Sequence, residues 1–234
     1  MSKVLGLSLL AMIAAAPAAA QVGHAPESSP YRPVLARQVV SAVGGYLGGE
    51  RGIAGVGPSD GQLYGARFDM LFSGPVNVTF EAALADLERN VIDPTQGPDD
   101  RAVGTFAQKV LLADIGINLV LTGAKTWHGF APYVGGALGL AVGERVGADS
   151  SGFNFRTQFL LAPQLGIRWH PADRLMFRVE GRDVIWRLSY PAIFFQEPAN
   201  APGAPSVLDP VTTNDSDWTH HWTVSFSLGF AIKL

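Results

Sequence analysis

Eight charged side chains, Arg67, Asp69, Glu81, Asp114, Arg168, Arg178, Glu180 and Arg182, fall on the minor phase of alternating segments spread along the chain. Four are acids and four are bases, so their signs cancel. Gathered in a poorly hydrated interior, such a set persists only as ion pairs, because a charge left without its partner there is strongly destabilising. If the pairs exchange partners, the same set offers a narrow path for water and ions. A second cluster, Thr219-His220-His221 with Ser225 and Ser227, holds the residue types of a nucleophile and its base. On a strand, His221, Ser225 and Ser227 share one face and His220 takes the other, so no obvious triad assembles. Adjacent strand histidines point apart, which argues against a metal pair. No glycine-rich phosphate loop occurs, and neither a cofactor nor a metal is expected.

The elements that carry these residues are strands. The clearest is the last, Trp222 to Leu234, where Trp222, Val224, Phe226, Leu228, Phe230, Ile232 and Leu234 alternate with small or polar residues. Seven others precede it: Gln38 to Gly49, Gln62 to Phe72, Val76 to about Leu84, Gln108 to Thr122, Phe130 to Gly143, Arg156 to His170 and Arg174 to about Trp186. Pro163 weakens the sixth locally, and after Arg182 the phase of the seventh is ambiguous. Connections alternate in length. Long stretches follow strands one, three, five and seven, among them the polar 88–106 and 188–218; the others are short, the tight turns Ser73-Gly74-Pro75 and Pro171-Ala172-Asp173 and the connection Gly123 to His128. The inward glycines of strand five, Gly135 and Gly139, make room for bulky neighbours.

Composition points to a second solvent besides water. Of 234 residues, 47% are hydrophobic and only 16% charged, below the usual quarter. Beyond the extreme N-terminus, no apolar run reaches the ~18 residues a spanning helix needs. Residues 1–20 read as an export signal, with Lys3, the apolar run Val4 to Ala15 and a small-residue cleavage site at Ala18-Ala19-Ala20. Removing it takes one base and no acid from 17 basic and 20 acidic residues, so the formal charge is 16 minus 20, or -4. Nothing in that balance suggests a nucleic-acid partner. Cysteine is absent, which excludes disulfides and thiol chemistry. Residues 21–37, with Pro26, Pro30 and Pro33, form an irregular leader.

Eight strands with short turns at one end and long loops at the other describe an all-β, antiparallel up-and-down transmembrane β-barrel, residues 38–234. Each strand has the ~9 to 11 residues that cross a bilayer. The tryptophans are expected at the two interfaces, Trp127 and Trp169 at the short-turn end and Trp186, Trp218 and Trp222 at the long-loop end. Together with Pro132-Tyr133-Val134-Gly135-Gly136-Ala137-Leu138-Gly139 and the aromatic last strand, this pattern resembles the small eight-stranded outer-membrane barrels of the OmpA and OmpX type. The resemblance implies a Gram-negative outer-membrane location, with outer-membrane lipid and lipopolysaccharide and the barrel-insertion machinery as partners. It implies that Phe226, Phe230 and Leu234 on the last strand serve as the assembly signal. The peptidoglycan-binding domain that follows many OmpA barrels is not expected.

The expected role is structural or surface-interactive, with a lumen plugged by the eight charges and a protein or surface ligand at the extracellular loops. Two alternatives stay open at this point: a narrow gated, porin-like pore, and a lipid deacylase or acyltransferase, chemistries that some barrels of this size perform.

Overall fold

The computed structural model describes residues 28–72 and 74–232. The expected export segment, the first part of the leader and Leu234 lie outside the described residues. Ten strands form one sheet: β1 (Tyr31–Pro33), β2 (Gln38–Gly49), β3 (Ser59–Leu71), β4 (Val76–Ile92), β5 (Ala102–Val120), β6 (Lys125–Trp127), β7 (Phe130–Gly143), β8 (Thr157–Ala172), β9 (Leu175–Ser189) and β10 (Ser216–Ala231). Their order is β7-β5-β4-β3-β2-β10-β9-β8, and β8 pairs back to β7, while β1 and β6 stand outside this ring. Eight antiparallel strands therefore close on themselves. Where the ladders are complete, closure leaves no sheet edge, which is what allows such a sheet to sit in hydrocarbon.

Side chains of large apolar residues cover the outside. Ile115, Ile117, Leu138, Phe159, Leu165, Phe226 and Phe230 are all exposed there, while the alternate positions are buried in the lumen. Four outward tryptophans, Trp127, Trp169, Trp218 and Trp222, flank the apolar band. At the short-turn end, Phe130, Trp169 and Phe177 form a stacked ladder across β7, β8 and β9, with centroids 6.1 and 5.6 Å apart.

Several boundaries differ from the sequence expectation. The polar stretch 88–106 is largely strand, since β4 runs to Ile92 and β5 starts at Ala102, and the two pair along that length. Above the apolar band the outer face meets water, so Glu88 and Asn90 point out while Leu87 and Val91 stay buried. The leader is not wholly irregular either: Tyr31–Pro33 pairs with β6, inside the connection between β5 and β7. Further bonds, Val34 N–H to Ala124 O and Leu71 N–H to Arg37 O, hold this segment across the short-turn mouth.

One seam of the ring is incomplete. The β8–β9 ladder continues from Trp169↔Phe177 up to Gln164↔Arg182, skips Pro163, touches once more at Leu161↔Ile185 and then stops. Proline has no N–H to give the ladder. Both strands continue beyond that point, β8 from Thr157 paired to β7 and β9 to Ser189 paired to β10.

Candidate functional site

The lumen has three layers. At the short-turn end Val39, Leu71 and Met176 form an apolar floor, against which Val34 and Ala36 of the leader pack. All eight sequence-predicted charges lie buried in the layer above. At the long-loop end comes the largest cluster, mainly apolar: Leu47, Leu87, Leu160, Trp186 and Leu188 from the strands, with Val56, Phe153, Phe155, Phe194 and Leu208 from the loops.

Register builds the charged layer. Arg67, Glu81 and Asp114 are Cα partners on β3, β4 and β5, so they stand in a row along one wall. Tyr133, Gly166, Glu180 and Ser225 form a second row across β7, β8, β9 and β10. The two rows meet across the lumen. Arg67 Nη1 and Nη2 reach the two Glu180 carboxylate oxygens at 2.8 and 2.6 Å, and Arg67 Nε donates to Glu81 at 2.6 Å. Arg182 bridges Glu81 at 2.8 Å and Asp114 at 2.6 Å. The Tyr133 hydroxyl donates to Glu180.

Toward the floor the balance is thinner. Arg168 and Arg178 face each other across β8 and β9, a like-charge pair that is unfavourable by itself. Asp69 lies between them, 2.6 Å from Arg178 and 3.7 Å from Arg168. The Tyr133 ring lies 4.6 Å from the Arg168 guanidinium carbon and 5.8 Å from that of Arg178, within cation–π range. Asn77, with its amide oxygen turned inward, accepts from Arg168. The pairing across the lumen is thus Arg67 with Glu180, Arg182 with Glu81 and Asp114, and Arg178 with Asp69.

Further buried polar residues complete the lumen. Gln164 donates to Asn118 at 2.7 Å beside the charged layer. Arg89 and Asp149 form a further buried ion pair, and the Arg89 guanidinium lies 4.9 Å from the Phe153 ring centre. Trp186 is a correction. Expected in the interfacial girdle, it is fully buried inside the lumen, where its ring lies 4.1 Å from that of His221. The inward alternation of Arg178, Glu180 and Arg182 continues unbroken through Val184, Trp186 and Leu188.

The histidine cluster divides between faces. His221 is buried with its Nδ1 3.3 Å from Val184 O. His220 lies outside, its Nδ1 2.8 Å from Asp183 Oδ2. Ser225 and Ser227 are inward, below His221 on the same strand. The His220–Asp183 pair therefore sits on the opposite side of the wall from the serines, while His221 shares their face. Outside the membrane, Tyr190 anchors the long β9–β10 loop by donating to Asp217 at 2.7 Å. Burial, together with that carboxylate, pushes its hydroxyl well above the usual tyrosine range.

Against known proteins, no family model and no curated sequence matches the chain. Solved structures do. The chain is similar to Neisserial surface protein A, with 10% identity and a TM-score of 0.48 over 83% of this chain and 97% of that one. It is also similar to OprG from Pseudomonas aeruginosa, at 13% identity and a TM-score of 0.47 over 84% and 98% of the two chains. The N-terminal β-barrel domain of Pseudomonas aeruginosa OprF matches at 11% identity and a TM-score of 0.42 over 83% and 97%. The fold is a closed eight-stranded antiparallel up-and-down β-barrel. That reading stands on the closed ring, the apolar outer band and the buried polar interior of this chain.

Proposed function

We propose that this chain is an outer-membrane barrel with a structural or surface-interaction role whose lumen is shut. The observation that carries the reading is the filled interior: an apolar floor, an ion-paired middle layer and a mainly apolar upper layer into which the loops themselves insert. An eight-stranded ring encloses only enough space for side chains, and here they occupy it. The working surface is the long-loop end, which presents Ile53 and Val211 outward on a packed platform, and its partner is a protein or surface ligand. Lipopolysaccharide and outer-membrane lipid meet the apolar band. The assembly role belongs to β10, whose Phe226 and Phe230 face outward in one phase.

The test is topology in intact cells. Val211→Cys is expected to react with a membrane-impermeant maleimide from outside, and Asp173→Cys, in the β8–β9 turn, only after the outer membrane is opened. Recovery as a soluble periplasmic protein, or the reverse labelling pattern, contradicts the proposal.

A further inference from the structure

The upper β8–β9 seam is a place where two neighbouring strands run side by side without joining. Above Leu161↔Ile185 the ladder gives no pairs, although β8 extends to Thr157 and β9 to Ser189. By the β9–β10 register, this gap lies at the height of Trp222, opposite Asp183, and Trp218, opposite Arg187. It therefore opens at the outer interface, where acyl chains meet headgroups.

What lies on the two sides gives the gap a use. Inside are Phe155, Leu160, Trp186 and Leu188, all fully buried and apolar. Phe155 fills the space against Trp186, with ring centroids 5.2 Å apart. It belongs to the loop 144–156, which carries left-handed backbone at Gly152 (φ 80°) and at Arg156 (φ 53°). A non-glycine residue held there stores strain, and such positions cluster at ligand clamps and switches. At the top of the gap is a cavity of about 410 Å³ lined by polar residues, among them Asn154, Arg156, Thr157 and Ser189, within the size range of ligand sites. The Arg156 side chain is exposed and has no ion-pair partner among the described residues.

We propose that this seam is a lateral binding site for a single-chain anionic amphiphile, a long-chain carboxylate, taken from the outer leaflet. Its head pairs with Arg156 at the polar cavity, a geometry in which arginine holds a carboxylate by two parallel hydrogen bonds. The tail passes between Phe159 and Arg187 and takes the place of the Phe155 ring against Leu160 and Trp186, as the loop swings on Gly152 and Arg156. The charged layer below stays in place, so binding does not open a through-path. The proposal rests on the outer-membrane reading above but not on the identity of the loop partner.

The chain has no cysteine, so a pair introduced across the gap is the only disulfide available. The experiment uses the full mature protein folded in phosphatidylcholine vesicles, with folding verified in every sample by heat-modifiable gel mobility. A fluorescent polyene fatty acid is the probe and its alcohol the control. Wild type is expected to bind the fatty acid saturably. The oxidised Phe159→Cys, Arg187→Cys pair is expected to bind about tenfold more weakly, with recovery on reduction. An oxidised Leu138→Cys, Leu161→Cys pair across the closed β7–β8 seam leaves binding unchanged. Arg156→Ala weakens the carboxylate and spares the alcohol. Absence of saturable binding by the folded barrel, or equal binding by the locked seam, overturns the proposal without touching the barrel assignment. Amide exchange gives a second readout: Thr157–Leu160 and Trp186–Ser189 are expected to exchange faster than Gly139–Val142, and equal protection overturns the open seam.

Discussion

Gly166 makes the space in which Tyr133 crosses the lumen: a Cβ at Gly166 would lie 2.5 Å from the Tyr133 hydroxyl oxygen and 2.7 Å from Val179 O. Only a residue without a side chain lets Tyr133 reach Glu180 and lie beside Arg168 and Arg178. Gly166→Ala is expected to destabilise the barrel by about 1 to 3 kcal/mol, the usual cost of overfilling a packed interior. Tyr133→Phe in the same background should recover part of the loss, because the clashing oxygen is gone. Urea titration of gel mobility measures both; a neutral Gly166→Ala shows that the Tyr133 row has slack.

Arg182 holds two carboxylates at once, Glu81 and Asp114. Glu81 keeps Arg67 when Arg182 is lost, but Asp114 has no other ion-pair partner among the described residues. Arg182→Met is therefore expected to cost about 3 to 5 kcal/mol, the range for breaking a buried pair. Adding Asp114→Asn should return much of it, since no unpaired charge remains. Equal stability of the single and double variants would show that water already solvates Asp114.

Along β10, Phe226 lies midway between the girdle residue Trp222 and Phe230, while Phe230 pairs with Leu175 beside the β8–β9 turn. Phe226→Arg should cost about 2 to 4 kcal/mol and Phe230→Arg distinctly less, because the penalty for arginine falls from midplane to interface. Folding yield into lipid vesicles ranks them. The opposite ranking places the membrane lower on the strand.

Tyr190 ties the long loop to Asp217, and its hydroxyl keeps its proton to higher pH than a free tyrosine. The unfolded chain releases that proton near pH ~10, so this contribution to stability is complete below about pH 10 and is lost as pH rises through the folded value. Alkaline loosening of the loop, followed by protease cleavage within 190–215, should be blunted in Tyr190→Phe. Identical alkaline profiles for both proteins would remove Tyr190 from the latch.

Much of this architecture was legible because two different solvents meet the two faces of each strand. Where lipid lies outside and ion pairs lie inside, as around Arg67, Glu81 and Arg178, the binary pattern is sharp and every charge expected in the lumen is found there. In the upper half the pattern fades, since the interior is apolar too. Val184, Ile185, Trp186 and Leu188 then read the same on both faces, and Trp186, at a strand end, has the sequence signature of a girdle residue. Above the bilayer the outside becomes polar, so the far ends of β4 and β5 resemble a loop. The β1–β6 pairing is three residues long and depends on the barrel to bring its halves together. Nothing local announces it.

The most direct test of the closed lumen is conductance of the wild-type protein in planar bilayers at neutral pH. No steady channel is expected, and none in Arg182→Met either, because the apolar side chains of Phe155, Trp186 and Phe194 still seal the path above the charges. A wide, steady conductance in the folded wild type would contradict the closed lumen.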